Sequence, residues 1–217
     1  MKADLHLHTN RYSGCSNIDP VEALRRAEAV GLAMIALTEH GIRWPDAELA
    51  ALVEQSRVKN LVVIPGEEAA CYSKAGRFQG EFLVFGYPES LGSSRSAEQL
   101  IDLVHGAGGV VIAAHPFKPA ERGNGFYGCG DLLDRLDVDG LEIEHPGYGD
   151  HERRLALEAM RRKGVAGLGC GDAHDLRDIG ACWTGLNEGV IDAETLFRAI
   201  RSRETRAFNG RRGDIVP

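Results

Sequence analysis

The sequence predicts a parallel α/β fold closed into a barrel. Two observations lead to this. Short apolar, strand-like runs alternate with amphipathic helical stretches along most of the chain, the pattern of a parallel sheet with helical crossovers. Histidines and carboxylates recur at the ends of those runs. A barrel brings the ends of its strands to one face, whereas an open sheet would spread them along an edge.

The elements follow in order. Ala3–Thr9 alternates apolar and polar residues, as a half-buried strand does. Asp19-Pro20 opens a helix with proline in its first turn, and Gly31 ends it. Residues 33–38 read as a buried strand, 46–57 as a helix, and Leu61–Pro65 as a third strand. Phe82–Gly86 is a fourth. Ser96 caps a helix that runs to a Gly-Gly pair before the strand 110–114. A short helix is expected over 130–137, a strand over 140–144, a helix over 151–164 and a strand over 165–170. A last helix over 193–203 precedes a short strand, Thr205–Phe208. Residues 88–95 and 118–130 read as surface loops, so residues 1–217 are expected to form one domain.

Composition narrows the function. The chain of 217 residues is 43% hydrophobic and 26% charged, which excludes disordered, collagenous and coiled-coil classes. Thirty-two acidic against 25 basic residues give −7. With no overall basic field, nucleic acid is an unlikely partner on this reading, and no membrane partner is expected. No apolar run reaches the ~20 residues of a membrane span, and the amino terminus has no apolar signal core, so a cytoplasmic protein is expected. The five cysteines are scattered without a CxxC pair, which signals neither a disulfide framework nor a thiolate zinc knuckle.

The chemistry lies in five short motifs. His6-x-His8 in a strand puts two imidazoles on one face, with Leu5 and Leu7 turned toward the layer under the helices. Thr38-Glu39-His40 ends the second strand. Pro65-Gly66-Glu67-Glu68 ends the third, where Gly66 would let the backbone turn a carboxylate inward. Ala114-His115-Pro116-Phe117 ends the fifth, and Gly171-Asp172-Ala173-His174 ends the seventh. One such residue alone would serve as well on the surface. Capping prefers Ser, Thr, Asp and Asn over His, so capping does not explain the repetition. Imidazoles with carboxylates suit zinc, manganese or iron, and this many ligands suit more than one ion.

In this order and spacing, DLHLHT, TEH, PGEE, AHPF and GDAH resemble the PHP family (polymerase and histidinol phosphatase domains), over residues 4 to about 203. The chain is most similar to the small stand-alone metal-dependent phosphoesterases of that family. The resemblance implies a distorted (β/α)7 barrel that binds two or three divalent metal ions (Mn, Zn, Fe or Mg) and hydrolyses phosphoesters. It implies one metal on His6, His8, Glu68 and Asp172. A second would lie on Glu68 as bridge, Glu81 and His115, and a third on His40 and His174. The Gly-x-Glu pattern selects Glu68, with Glu67 pointing out of the barrel. The family often has His where Glu81 stands, and a carboxylate there favours manganese or magnesium over zinc. Residues 10–16, after the first motif, offer no strong ligand for the third metal. Asp4 is expected to support a ligand rather than to be one.

Arg11 and Lys118, with Arg122, lie in loops past strand ends and could receive phosphate oxygens. His145 is expected in the substrate pocket, and His105 is structural or on the surface. The expected reaction is attack by metal-activated water on a small-molecule phosphoester, with no Ser or Cys nucleophile. The alternatives are histidinol-phosphate phosphatase, a non-catalytic metal-binding module, and an amidohydrolase-like enzyme. The last commonly uses a bridging lysine after a middle strand, and no lysine belongs to the ligand set here. Loops 11–17, 41–46, 71–80 and 117–130 would form the pocket and contain nothing diagnostic of a nucleotide, sugar or amino-alcohol phosphate. Nothing in the sequence sets the oligomeric state.

Overall fold

Ten strands form one sheet in the computed structural model, which describes residues 1–120, 125–210 and the backbone of 214–216. They are β1 (Lys2–Asp4), β2 (Met34–Leu37), β3 (Val62–Tyr72), β4 (Phe78–Phe85) and β5 (Val110–Ala113), then β6 (Gly140–Glu144), β7 (Ala166–Gly169), β8 (Cys182–Leu186), β9 (Thr205–Asn209) and β10 (Asp214–Val216). Helices α1 (Pro20–Ala29), α2 (Asp46–Ser56), α3 (Ala97–Gly106), α4 (Asp150–Lys163) and α5 (Ala193–Arg201) lie between them. Local sequence sets several boundaries. The Asp19 carboxylate accepts from the amides of Val21 and Glu22, and Ser96 with Gln99 forms a reciprocal capping box on α3.

The sheet runs β10-β9-β8-β1-β2-β3-β4-β5-β6-β7 and curls into a nearly closed barrel. The ends of the sheet meet through hydroxyls. Thr184 Oγ1 accepts from Gly169 N at 3.1 Å and donates to Gly169 O at 2.9 Å, and Thr205 Oγ1 donates to Gly167 O at 3.0 Å. The β1-β2-β3 and β5-β6-β7 ladders are parallel, as expected. β4 is antiparallel to both β3 and β5, which the all-parallel reading did not anticipate. The cause is local: residues 73–77 form a tight hairpin connection, too short for a crossover.

Strand β3 also corrects the expected turn at Gly66. The strand passes straight through it, with regular pairing from Gly66↔Phe85 to Cys71↔Gly80. Glycine is needed there for space, because a Cβ would meet the Phe85 ring at 2.6 Å. Unbroken alternation puts Ile64 and Glu68 on the inner face, and Glu67, Ala69 and Cys71 on the outer one. The pair Ala70↔Glu81 then brings Glu81, inside β4 rather than at its start, to the same face as Glu68.

The inner core consists of Leu5, Ile64, Leu83, Phe85, Ile112 and Leu168, closed below by Leu196 and Ile200 of α5. Leu7 does not accompany Leu5. It packs under α1 and α2 with Ile18, Leu24 and Leu37. The regular strand ends at Asp4, so strict period-two alternation does not extend through His6 and His8. Among the described residues, no helix is long and apolar enough to cross a membrane.

Candidate metal centre

The carboxyl ends of the parallel strands converge on one cluster. Two isolated bridges, Leu7 with Ala173 and His40 with Glu68, carry the parallel pairing past the ends of the regular ladders. These contacts draw the first, second, third and fifth motifs together. His115 and Asp172 have positive φ, +26° and +45°. Such backbone strain persists where surrounding structure over-determines it, and it collects at functional sites.

The tautomers of the two leading histidines follow from their partners. His6 Nδ1 is 2.8 Å from Glu142 Oε1, so it carries a proton, and in the neutral ring Nε2 is bare. His8 Nδ1 is 3.3 Å from Ser13 Oγ, whose hydroxyl donates to Glu39 Oε2 at 2.5 Å. Ser13 must therefore accept from His8 Nδ1, and His8 Nε2 is bare as well. The two Nε2 atoms face each other at 3.0 Å. Around them, His6 Nε2 is 3.3 Å from Glu68 Oε1 and 3.4 Å from Asp172 Oδ1. His8 Nε2 is 3.3 Å from Glu68 Oε2 and 3.4 Å from Asp172 Oδ1.

These distances fit a metal. Ligand atoms about 2.0–2.1 Å from a tetrahedral ion lie roughly 3.3 Å apart. Burial opposes charge on these rings, yet the neighbouring carboxylates Glu68, Glu142 and Asp172 outweigh it and raise the pKa of His6, and Asp172 and Glu68 do the same for His8. The cluster calls for positive charge between the two Nε2 atoms, which a bound cation would supply. Two buried polar atoms of the cluster also lack a hydrogen bond, Glu68 Oε2 and His115 Nδ1. His40 Nδ1 stands 2.9 Å from that Glu68 oxygen without the alignment of a hydrogen bond. His115 Nε2 is 3.0 Å from Glu68 Oε1 and 3.6 Å from Glu81 Oε2. Burial and the Glu68 charge push Glu81 up to about 7, the response of a carboxylate crowded among others. His8, His40 and His174 form a further compact trio. The donor set thus fits more than one ion, with oxygen and nitrogen ligands suited to divalent transition metals or magnesium.

All eight sequence-predicted ligands, His6, His8, His40, Glu68, Glu81, His115, Asp172 and His174, meet in this cluster. Lys118 joins them, with Nζ 2.9 Å from Asp172 Oδ2. Asp172 and other carboxylates outweigh the effect of burial on Lys118 and hold its pKa above the usual value, so the ammonium stays charged. A cavity of about 370 Å³ opens over the cluster, with Lys118 on its wall.

Other residues depart from expectation. Arg11 is not brought in: its side chain is 55% exposed and donates to Glu48 Oε2 on α2 at 3.1 Å. The chain after His8 bends toward α2, where a carboxylate is within reach. Arg122 lies outside the described residues. His145 is a buried support rather than a pocket residue. Gly147 N donates to its Nδ1, so Nε2–H donates to Asp172 Oδ2 at 3.1 Å. Glu67 faces away from the cluster, yet it is buried, accepting from Leu91 N and Gly92 N at 2.7 Å each. Asp4 accepts from Gly171 N and Gly180 N, and so supports the segment that carries Asp172. His105 bonds Asp139 at 2.9 Å, a structural tie.

The sequence reading missed Glu142. Its Oε2 also accepts from His115 N at 2.7 Å, so one carboxylate aligns two candidate ligands. The signal was present: Leu141 and Ile143 flank Glu142 in a strand, so Glu142 must face inward if the two apolar side chains face the helices. Ser13 and Cys15, in the loop credited with no strong ligand, were missed too. Ser13 orients His8, and Cys15 lines the cavity.

Comparisons place the chain among known proteins. A family model described as "PHP-associated" matches residues 150–205. Uncharacterized protein MJ1587 of Methanocaldococcus jannaschii is 31% identical over 153 residues, covering 66% of this chain and 81% of that protein. A two-domain protein of Bacteroides vulgatus containing a predicted PHP-like metal-dependent phosphoesterase has a TM-score of 0.72 at 16% identity. The match covers 96% of this chain and 64% of that one. Endonuclease Q, solved with a duplex carrying an abasic lesion at its active site, has a TM-score of 0.61 at 14% identity, covering 93% of this chain and 56% of that one. The last finding corrects the expectation that nucleic acid is an unlikely partner. A fold of this kind also occurs in a protein that holds DNA. Net charge sums the whole surface, whereas a phosphodiester meets only the local field of the site.

Proposed function

This chain belongs to the PHP family, and on that premise we propose that it is a metal-dependent hydrolase of phosphoesters. The observation that carries the reading is the shell of His6, His8, Glu68 and Asp172, with bare Nε2 atoms 3.0 Å apart and carboxylate oxygens 3.3–3.4 Å from them. These four would hold one divalent ion, Glu68, Glu81 and His115 a second, and His40 with His174 a third. Bound there, such ions supply Lewis acidity toward a phosphoryl oxygen and toward the attacking water.

The chain's own groups do the rest. Glu142 and the Ser13–Glu39 pair hold His6 and His8 in the tautomer that turns Nε2 inward. His145 and Lys118 fix Asp172 from two sides. Lys118 also offers a charged donor on the cavity wall, where it can meet a non-bridging phosphate oxygen and the charge that builds on it. Neither Ser13 nor Cys15 is set up as a nucleophile: Ser13 is buried, with its oxygen engaged by His8 Nδ1 and the His40 amide, and burial raises the Cys15 thiol above its usual pKa.

The test is metal analysis of the purified protein after manganese or zinc loading, followed by a phosphomonoesterase and phosphodiesterase panel that includes nucleotides and DNA. At least two equivalents of metal and metal-dependent cleavage are expected. In a single turnover, heavy oxygen from water should enter the phosphate, and no phosphoprotein should form. Less than one equivalent after loading, or no cleavage with Mn, Zn, Fe or Mg, overturns the reading.

A further inference from the structure

Among the described phenylalanine, tyrosine and tryptophan side chains, three are exposed: Tyr72 at 39%, Phe78 at 41% and Tyr127 at 45%. All three line one groove of about 380 Å³, with Phe126 beside them. This groove continues into the metal-site cavity, since Glu81 and Tyr127 line both. Large rings left in water forgo the burial that the chain's other described aromatics obtain. Their gathering at the lip of one cavity therefore calls for a ligand.

The backbone aims them there. Pairing between β3 and β4 is regular as far as Cys71↔Gly80, then shifts so that Tyr72 faces Phe78 instead of Gln79. This one-residue slip turns Phe78 to the side of Tyr72, the same side that carries Glu68 and Glu81. Their ring centres lie 5.5 Å apart. Gly80 permits the slip: its φ is +113°, and a Cβ would meet Cys129 N at 2.5 Å. Lys118 links groove and centre, with Nζ 2.9 Å from Asp172 Oδ2 and 6.0 Å from the Tyr127 ring centre.

We propose that Tyr72, Phe78 and Tyr127 form a stacking subsite for a planar aromatic ring on the organic part of the phosphoester, and that this ring is the nucleobase of a nucleotide or of an unpaired nucleotide in a strand. The proposal rests on the phosphoester reading above. A wall of ring faces beside cations suits a ligand that joins a flat π system to a phosphate. Every base offers such a face, so stacking of this kind tolerates many sequences. An aliphatic phosphate gains nothing from the wall.

Calorimetric binding to the manganese-loaded protein tests this, with adenosine 5′-phosphate, thymidine 5′-phosphate, phenyl phosphate and ribose 5-phosphate as probes. The nucleotides should bind about ten-fold more tightly than ribose 5-phosphate. Phe78 and Tyr72 line the groove but not the metal-site cavity. In Phe78→Ala and in Tyr72→Ala that advantage should therefore shrink to about two-fold or less, with ribose 5-phosphate binding unchanged. Equal binding of nucleotides and ribose 5-phosphate by the unaltered protein, equal loss of both in the variants, or binding of none overturns the inference. Phenyl phosphate bound as tightly as the nucleotides overturns the nucleobase assignment. Cleavage is followed separately: a protein that prefers nucleotides in binding but hydrolyses no phosphoester refutes the hydrolase reading and leaves the stacking subsite standing.

Discussion

Replacing Glu142 with glutamine isolates what a carboxylate outside the ligand shell does for metal affinity. Its two oxygens accept from two donors, His6 Nδ1 at 2.8 Å and His115 N at 2.7 Å. An amide of the same shape has only one oxygen. If the oxygen keeps the His115 amide, the NH2 group faces His6 Nδ1. His6 must then accept there and carry its proton on Nε2, where the lone pair toward the metal is needed. If the oxygen turns to His6 instead, the His115 amide meets a donor and loses its bond at a residue already held at φ +26°. Either way a charge-assisted hydrogen bond worth about 1.5–3 kcal/mol is lost. Partners that orient metal-bound histidines typically change affinity by 10–100-fold. That range is about 1.4–2.7 kcal/mol, which agrees. The assay titrates manganese or zinc into the metal-free protein against a chromophoric chelator, with circular dichroism to verify the fold. A folded Glu142→Gln protein with affinity within two-fold of the unaltered chain would refute the argument that Glu142 sets the His6 tautomer.

Glu81→Ala should lose metal and most activity. Glu67→Ala should keep its metal but become less stable by about 1–3 kcal/mol, because the amides of Leu91 and Gly92 lose their acceptor. Thermal melts should show this as a drop of several degrees, and a Glu67→Ala protein lacking metal would mean that the inner and outer faces of β3 are misassigned. Lys118→Met should lower kcat/KM for phosphoesters by roughly ten-fold through loss of a charged donor, whereas Arg11→Ala should leave it unchanged, since an exposed pair such as Arg11–Glu48 contributes under about 1 kcal/mol. Steady-state kinetics distinguish the two, and the reverse ranking would place the phosphate on the Arg11 side. Thiol titration of the native protein should modify Cys15 alone at neutral pH. Burial pushes Cys71 and Cys129 up to about 12 and raises Cys170, and Cys182 is buried; rapid reaction of two or more thiols in the folded state would contradict this packing.

Much of the site was legible in the sequence because motif order survives folding. His6, His8, Glu68, His115 and Asp172 end apolar runs, and the parallel ladders β1-β2-β3 and β5-β6-β7 carry such ends to one rim wherever the helices lie. Helix boundaries were legible too, since Asp19 and Ser96 cap through contacts within three residues. Tertiary structure decided whatever depends on contacts distant in the chain. The direction of β4 follows from a five-residue connection that the strand pattern did not reveal, and that direction puts Glu81 beside Glu68. Whether a charged side chain reaches the site or a neighbouring carboxylate is a competition in space. Arg11 goes to Glu48, 37 residues away, and Lys118 to Asp172, 54 residues away. Glu142 lies 136 residues from His6, so no local pattern could pair them. Periodicity shows which face a residue takes, but only the closed barrel determines what stands opposite it, because hydrogen bonds and charges act over a few ångströms of space and not along the chain.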